Sequence, residues 1–376
     1  MDSLKIDVQV PYFVHIGQDI IHHLPFLLQK VVQQPQLTVC IVTDRNVARH
    51  FLKTAEKTLK RAGCRVHSVV LKPGERLKSR KDLYKLLRTM VQAGLTRDSV
   101  LIGMGGGVIG DLAGFAASIY MRGCFFVQMP TSLLAQVDSS VGGKVGINLP
   151  EGKNLVGSFY HPLFVLADID TLETLPEREF LCGLAEIIKC GLIRSTDLFH
   201  QIGEHFLRYR RFNEHLSHRE VKELLLEDRD FLNSIIAESI KIKGDIVASD
   251  EQEQSLRMVL NFGHTFGHAI EALSGYRRFL HGEAVMLGMK IATGLSGSLH
   301  DDEKREVLEL LDMFELPQVR GMSAKAIYTQ IERDKKKREG KIHYILLERI
   351  GKAVIETKIE KREVLRCIRG ALGEKG

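Results

Sequence analysis

Residues 99–114 read SVLIGMGGGVIGDLAG. An apolar run stops at a cluster of glycines, and a helix-like pattern resumes at once. The stretch reads as a strand passing through a tight turn into a helix. Gly105, Gly107 and Gly110 fit G-x-G-x-x-G, with Gly106 between them. Glycines at that spacing let backbone N–H groups approach a diphosphate at the helix N-terminus. Outward from this turn the alternation recurs. LTVCIVTD (37–44) reads as a buried strand, NVARHFLKTAEKTLKRAG (46–63) as a helix, CRVHSVVL (64–71) as a strand and SRKDLYKLLRTMVQAG (79–94) as an amphipathic helix. FFVQMPTS (125–132) and FVLADIDTLETLP (164–176) supply two more strands.

Strand–helix alternation implies an α/β domain with a parallel, Rossmann-like sheet. From about residue 177 the texture changes. EREFLCGLAEIIKCGLI, EVKELLLEDRDFLNSIIAESIKIKGDIVASD and GEAVMLGMKIATGLSGSL are long helical patterns, and HYILLER near the end is the main strand-like run. The expected organisation is therefore an α/β domain over 1–176 and a mainly helical domain over 177–376. The stretch VDSSVGGKVGINLPEGKNLVGSF (137–159) is rich in Gly and Ser, and reads as a long polar loop of the kind that carries function.

The chain has 376 residues, 44% of them apolar and 27% charged, which fits two globular domains and excludes disorder. A net charge of +6 gives no argument for nucleic acid but suits an anionic small substrate. Six scattered cysteines with no C-x-x-C fit reduced thiols in a cytoplasm. The start, MDSLKIDVQVPYF, carries acids and no long apolar core, so no signal peptide is expected. The most apolar stretch, 99–121, contains Asp111 and many glycines, which argues against a membrane span. A soluble cytoplasmic protein is the expectation.

The glycine turn departs from the dinucleotide fingerprint, because an acid about 20 residues on is replaced by VQMPTS. Asp44, ending an earlier strand, is positioned to take ribose hydroxyls, and PGERLKS (73–79) offers Glu75 and Lys78 beside the same nucleotide. In LNFGHTFGHAIE (260–271), His264 and His268 stand one helical turn apart, a spacing that suits one metal ion. FLHGEAV adds His281, and GLAEIIKCG places Glu186 among apolar residues with Lys189 on the same helix face. An unpaired acid there is costly to bury. Two imidazoles and a carboxylate make a catalytic zinc-type set, although spacing does not choose between His268 and His281. Asp138, Lys144, Lys153 and Asn154 lie in the polar stretch. Arg122, Lys189, Lys243, Arg257 and the run RDKKKREGK (333–341) add positive charge. No aromatic residues interleave with that run, unlike a nucleic-acid patch. So many cations suit a substrate bearing both a carboxylate and a phosphate.

GGGVIGDLAGFAA, PTSLLAQVDSSVGGKVGIN, GKNLVGSFY, GLAEIIKCGLI, LNFGHTFGHAIE, LHGEAV and the late DKK, in this order and spacing, closely resemble 3-dehydroquinate synthase, one of the sugar-phosphate cyclases. The resemblance runs from about Asp44 to Gly351. It implies a homodimeric lyase of the shikimate pathway that binds NAD in its N-terminal domain and one Zn2+ or Co2+, with the active site in the cleft between domains. It implies Glu186, His264 and His281 as metal ligands, with His268 turned to the substrate near its phosphate. NAD contacts are implied at Asp44, Asn46, Glu75, Lys78, Gly107, Asp111, Thr131 and Ser132, with Lys144, Lys153 and Thr171 close by. Arg257 and Lys243 would hold the substrate carboxylate. Lys144, Asn154, Asn261, His268 and Lys335 or Lys336 would surround the phosphate, with Arg122 entering from a partner subunit. Asp138, Lys189 and Glu253 would address ring hydroxyls. The implied substrate is 3-deoxy-D-arabino-heptulosonate 7-phosphate. The implied route is transient oxidation by NAD, phosphate elimination, re-reduction, ring opening and an internal aldol closure. A sister cyclase, a metal-dependent polyol dehydrogenase and a non-catalytic nucleotide-binding regulator are the rival readings, and the dehydrogenase differs in accumulating NADH.

Overall fold

The structure is a computed structural model and describes residues 1–209, 215–253, 255–275, 277–319, 321–337 and 342–374. The chain divides into two compact units, Met1–Leu175 with Lys243–Gln252, and Pro176–Ile242 with Glu253–Gly376. The first unit thus takes in ten residues from far along the sequence.

The first unit carries, in order, β1 (Asp2–Ile6), β2 (Tyr12–Gly17), α1 (Leu24–Val31), β3 (Thr38–Asp44), the single turn α2 (Arg45–Val47), α3 (Lys53–Arg61), β4 (Arg65–Leu71), α4 (Arg80–Gln92), β5 (Val100–Gly105), α5 (Gly107–Ile119), β6 (Phe125–Pro130), β7 (Lys144–Leu149), β8 (Gly152–Phe159) and β9 (Phe164–Asp168). Seven strands form one sheet in the order β1-β2-β9-β6-β5-β3-β4, parallel except for the β1–β2 pair. Alternation along the central strands sends their side chains to opposite faces. Val39, Ile41, Val100 and Ile102 pack with Leu24 and Leu28 of α1 and Leu59 of α3. Cys40, Val42 and Leu101 face Leu86 and Met90 of α4 and Leu112, Ala113 and Ala116 of α5. Each such large side chain, fully buried, contributes about 1.5–3 kcal/mol.

The topology decides where a ligand can sit. From β3 the chain moves outward to β4, then returns across β3 to β5. The connections therefore part at the C-terminal ends of β3 and β5, the switch point where open α/β sheets form a binding crevice. Asp44 ends β3 and Gly105 ends β5.

In this unit one region carries no expectation from the sequence and another departs from its expectation. The N-terminus forms β1 and β2, registered Asp2↔Ile16 to Ile6↔Tyr12. The stretch 137–159, expected to be a loop, is a helical turn over Ala135–Ser139 followed by the β7–β8 hairpin, closed by a turn at Pro150 and Glu151. Gly142 and Gly143, ahead of β7, take positive φ of 106° and 67°, whereas the hairpin glycines Gly146 and Gly157 serve cross-strand packing. Gly146 pairs with Gly157, and a Cβ on Gly157 would fall 2.1 Å from the Val145 carbonyl oxygen. Val145 and Ile147 turn into the core.

The second unit is mainly helical: α6 (Glu177–Arg194), α7 (Thr196–Leu207), α8 (His218–Glu227), α9 (Arg229–Ser249, whose last seven residues belong to the first unit), α10 (His264–Leu273), α11 (His281–Leu295), α12 (Asp301–Leu311), α13 (Ala324–Lys337), the hairpin β10 (Tyr344–Arg349) and β11 (Lys352–Glu356), and α14 (Lys361–Leu372). The pattern over 220–250 is two helices, not one. Asp228 breaks it, its Oδ1 accepting from the Phe231 N–H at 3.0 Å as a capping group does.

Candidate active site

Glu186 lies in mid-α6, while His264 and His281 each open a helix. Close packing brings the three together. A Cβ on Gly282 would lie 2.3 Å from the Cys182 Cα, so α11 meets α6 backbone to backbone. A Cβ on Gly288 would lie 2.0 Å from the Gly263 carbonyl oxygen, so α10 meets α11 the same way. Nε2 of His264 stands 3.6 Å from Glu186 Oε1, and Nε2 of His281 stands 3.8 Å from it. One donor atom from each residue falls within 4.8 Å of the others.

The donor chemistry fits a divalent ion. Glu186 is buried, and its Oε1 has no hydrogen-bond partner, whereas Oε2 accepts from Lys189 Nζ. A buried oxygen without a partner costs about 1–3 kcal/mol, and more when charged, and an ion would remove that cost. Burial holds His264 well below the ordinary imidazole range, and the Lys189 ammonium and the imidazoles of His281 and His268 add to the effect. The neutral ring is the form that ligates. His264 Nδ1 lies 3.1 Å from the Phe262 carbonyl oxygen, and His281 Nδ1 lies 3.3 Å from Glu271 Oε2. Each ring can donate from Nδ1 and keep the Nε2 lone pair for the ion. A second trio, His268, Glu271 and His281, also lies within 4.8 Å. His268 is exposed and follows His264 by one turn, with ring centroids 5.4 Å apart. Glu271 escaped the sequence reading. The signal was present, since it follows His264 by two turns on the same helix face.

In the first unit the expected cofactor residues gather at the C-terminal edge of the sheet. Gly106 precedes α5, and the Thr131 N–H donates to the Gly105 carbonyl at 3.0 Å. A Cβ on Gly107 would lie 2.9 Å from Ser139 Oγ, and one on Gly110 2.8 Å from Gln128 Oε1. Ser132 Oγ accepts from the Ala135 N–H. Asp44 Oδ1 caps α2, accepting from the N–H groups of Asn46 at 2.7 Å and Val47 at 3.2 Å. Asn46 itself is exposed. Lys78 is buried and donates to Asp111 Oδ2 at 2.5 Å and to Asn154 Oδ1. Asn148, absent from the sequence reading, ties this group together. Its amide donates to Glu75 Oε1 at 2.7 Å, and its Oδ1 accepts from the Asn154 N–H at 2.8 Å. Burial pushes the Asp111 carboxyl up to about 6, against the pull of the Lys78 ammonium. Thr171 turns inward, its hydroxyl donating to the Asp168 carbonyl at 2.6 Å.

Lys243 Nζ donates to Asp138 Oδ1 and to its carbonyl oxygen, both at 2.5 Å, and the lysine is buried. Lys144 and Lys153 stand exposed on β7 and β8. Arg122 is exposed with φ 67°, and Asn154 and Glu253 also take left-handed backbone at φ 55° and 58°. Such conformations are uncommon for residues other than Gly and cluster at functional sites. Arg257, buried, and Asn261 lie in the helical turn Leu256–Asn261, just ahead of α10. Lys335 and Lys336 fall in α13, and their side chains lie outside the described residues.

Comparison with known proteins identifies the family. The 3-dehydroquinate synthase N-terminal family matches residues 68–182, and the 3-dehydroquinate synthase C-terminal family matches 183–337. A 3-dehydroquinate synthase of Acidithiobacillus ferrooxidans is 43% identical over 96% of this chain and 95% of its own. That of Thermoanaerobacter pseudethanolicus is 41% identical over 98% and 100%. Among solved structures, 2-epi-5-epi-valiolone synthase from Streptomyces hygroscopicus subsp. jinggangensis 5008, with NAD+ and Zn2+ bound, superposes with a TM-score of 0.85 at 25% identity, covering 100% of this chain and 99% of that one. Glycerol dehydrogenase from Schizosaccharomyces pombe shares the fold, with a TM-score of 0.65 at 15% identity over 96% and 88%. Among the described residues no helix is long and apolar enough to cross a membrane. With relatives above 40% identity along nearly its whole length, the chain belongs to the 3-dehydroquinate synthase family.

Proposed function

We propose that the chain is a 3-dehydroquinate synthase, converting 3-deoxy-D-arabino-heptulosonate 7-phosphate to 3-dehydroquinate and phosphate in the cytoplasm as a homodimer. The observation that carries the reading is the trio Glu186, His264 and His281 around a buried carboxylate oxygen that lacks a hydrogen-bond partner, in a chain of this family. A bound Zn2+ or Co2+ would supply Lewis acidity toward a substrate hydroxyl. NAD, held at the edge formed by Asp44, Lys78, the Gly105–Gly110 turn and Asp111, would take up a hydride and return it.

The chain's own residues hold and orient. Lys243, aimed by two bonds to Asp138, and Arg257 take the substrate carboxylate. Lys144, Asn154, Asn261, His268 and Lys335 or Lys336 take the phosphate, and Arg122 of a second subunit joins them. Asp138, Lys189 and Glu253 bind ring hydroxyls. Lys78 keeps Asp111 and Asn154 in place beside the cofactor. Oxidation two carbons from the phosphorylated one acidifies the C–H that lies between them, and phosphate then leaves by elimination, taking up the proton that this middle carbon loses. The cations stabilise charge on the leaving group as it develops. After re-reduction the ring opens and recloses, and the protein contributes by fixing one conformer.

The test supplies the heptulosonate phosphate with NAD and Zn2+ and follows phosphate beside absorbance of NADH. One phosphate per substrate without net NADH is expected. Accumulating NADH without phosphate would instead indicate a dehydrogenase.

A further inference from the structure

The metal trio has a neighbour. His268, Glu271 and His281 also offer one ligand atom each within 4.8 Å, and His281 belongs to both sets. Two explanations compete: a second ion beside the first, or an outer shell that aims His281. Proton counting separates them. A neutral imidazole carries one N–H, and a ring that ligates through Nε2 keeps its proton on Nδ1. That Nδ1 lies 3.3 Å from Glu271 Oε2. With the first position filled, a second ion on Nδ1 would require the ring to lose its last proton. A carboxylate accepting from Nδ1–H requires nothing further. The geometry points to Glu271 as the positioning residue of the metal centre, fixing the Nδ1–H tautomer of His281 and turning Nε2 toward Glu186 Oε1. This inference rests on the proposed metal site.

The fold supports the role. The α10–α11 contacts run in opposite directions along the two helices, Gly263 facing Gly288 and Gly267 facing Ala284. Continuing that run places Glu271, near the end of α10, beside His281 at the start of α11. The Glu271 side chain is 8% exposed and that of His281 32%, so the acceptor sits on the sheltered side of the ring. Burial strengthens this bond relative to water. His268 stacks on His281 at 6.0 Å between centroids and an interplanar angle of 30°, which steadies the ring's plane but not its tautomer.

The test measures metal in the full chain with NAD present, by competition with a chromophoric chelator and by the visible spectrum of the Co2+ form. Three proteins are compared: wild type, Glu271→Gln and Glu271→Leu. Wild type is expected to bind one ion per chain. Glu271→Leu should weaken binding about 10–100-fold and alter the Co2+ bands. Glu271→Gln, whose amide oxygen still accepts from Nδ1, should recover most of the affinity and the wild-type bands. Nitrogen NMR of ring-labelled histidine in the metal-free protein should show His281 as the Nδ1–H tautomer in wild type and as a mixture in Glu271→Leu. That readout does not depend on activity. Two ions per chain in wild type, with one lost in Glu271→Leu, would overturn the inference in favour of a second site. Equal affinity in all three proteins would overturn it while leaving the metal reading intact. No ion in wild type would remove both.

Discussion

The residues of the site are legible through what each lacks or shares. Glu186 is buried with one oxygen bonded to Lys189 and the other without a hydrogen-bond partner. His281 reaches that second oxygen from a different helix. Replacing His281 by Ala removes one of three ligands, so metal content should fall at least tenfold while NAD binding at the sheet edge stays within about twofold. Metal analysis beside NAD titration checks this, and a full metal load in the variant would refute the ligand assignment. Asp111 gives a second prediction. Its folded value, about 6, lies above the unfolded carboxylate value. Between the two the folded state holds more protons, so stability from this group is fully present below about pH 4. It is lost as pH rises through 6, by roughly 3 kcal/mol. Asp111→Asn should flatten that part of the curve in urea unfolding at pH 4 to 7. Unchanged slopes would show that the carboxyl is not perturbed. Removing the Lys78 ammonium takes away the main opposing pull and should drive Asp111 higher still.

At the scale of elements, the metal site is a consequence of helix contact. Cys182 stands one turn before Glu186, Gly282 stands next to His281, and these two positions touch. Gly282→Ala puts a methyl where the Cys182 backbone lies. It should cost about 1–3 kcal/mol or more and loosen metal binding together with stability. Thermal melting and metal affinity measured on the same variant test the coupling, and a variant with an unchanged melting temperature would refute the close approach. The sequence shows the helices and the glycines that allow this contact, but not which helices meet. Spacing within one turn suits His264 with His268 and leaves His281 open, whereas packing across α10 and α11 brings His281 beside His264 and Glu186. The β7–β8 hairpin was hidden for a related reason. Its Gly146 and Gly157 resemble loop residues until their partners across the ladder are known. The strands β3 and β5 are readable because buried parallel strands are continuous apolar runs, here ending in Asp44 and Gly105. Residues 220–250 have the pattern of one helix because Asp228 suits a helix surface as well as a cap.

For the molecule as a whole, ion binding and folding are linked. If only the folded chain gathers Glu186, His264 and His281, free metal at 100 times its dissociation constant adds about 2.7 kcal/mol to stability. A chelator should lower the melting temperature, and Zn2+ should restore it. A temperature indifferent to chelation would mean that the trio holds no ion of consequence. The units themselves have unequal boundaries in sequence. Lys243–Gln252 belongs with Met1–Leu175, where Lys243 meets Asp138 and Glu251 accepts from the Gln9 N–H at 3.1 Å and bonds His161 at 2.8 Å. During synthesis on the ribosome, the amino-terminal unit must therefore wait for this later segment to emerge before the contacts of Asp138 with Lys243 and of His161 with Glu251 can close. A fragment ending at Leu175 would leave Asp138 without its ammonium and His161 without its carboxylate. Gene fusions or split versions of this protein should keep Lys243–Gln252 on the same polypeptide as the sheet.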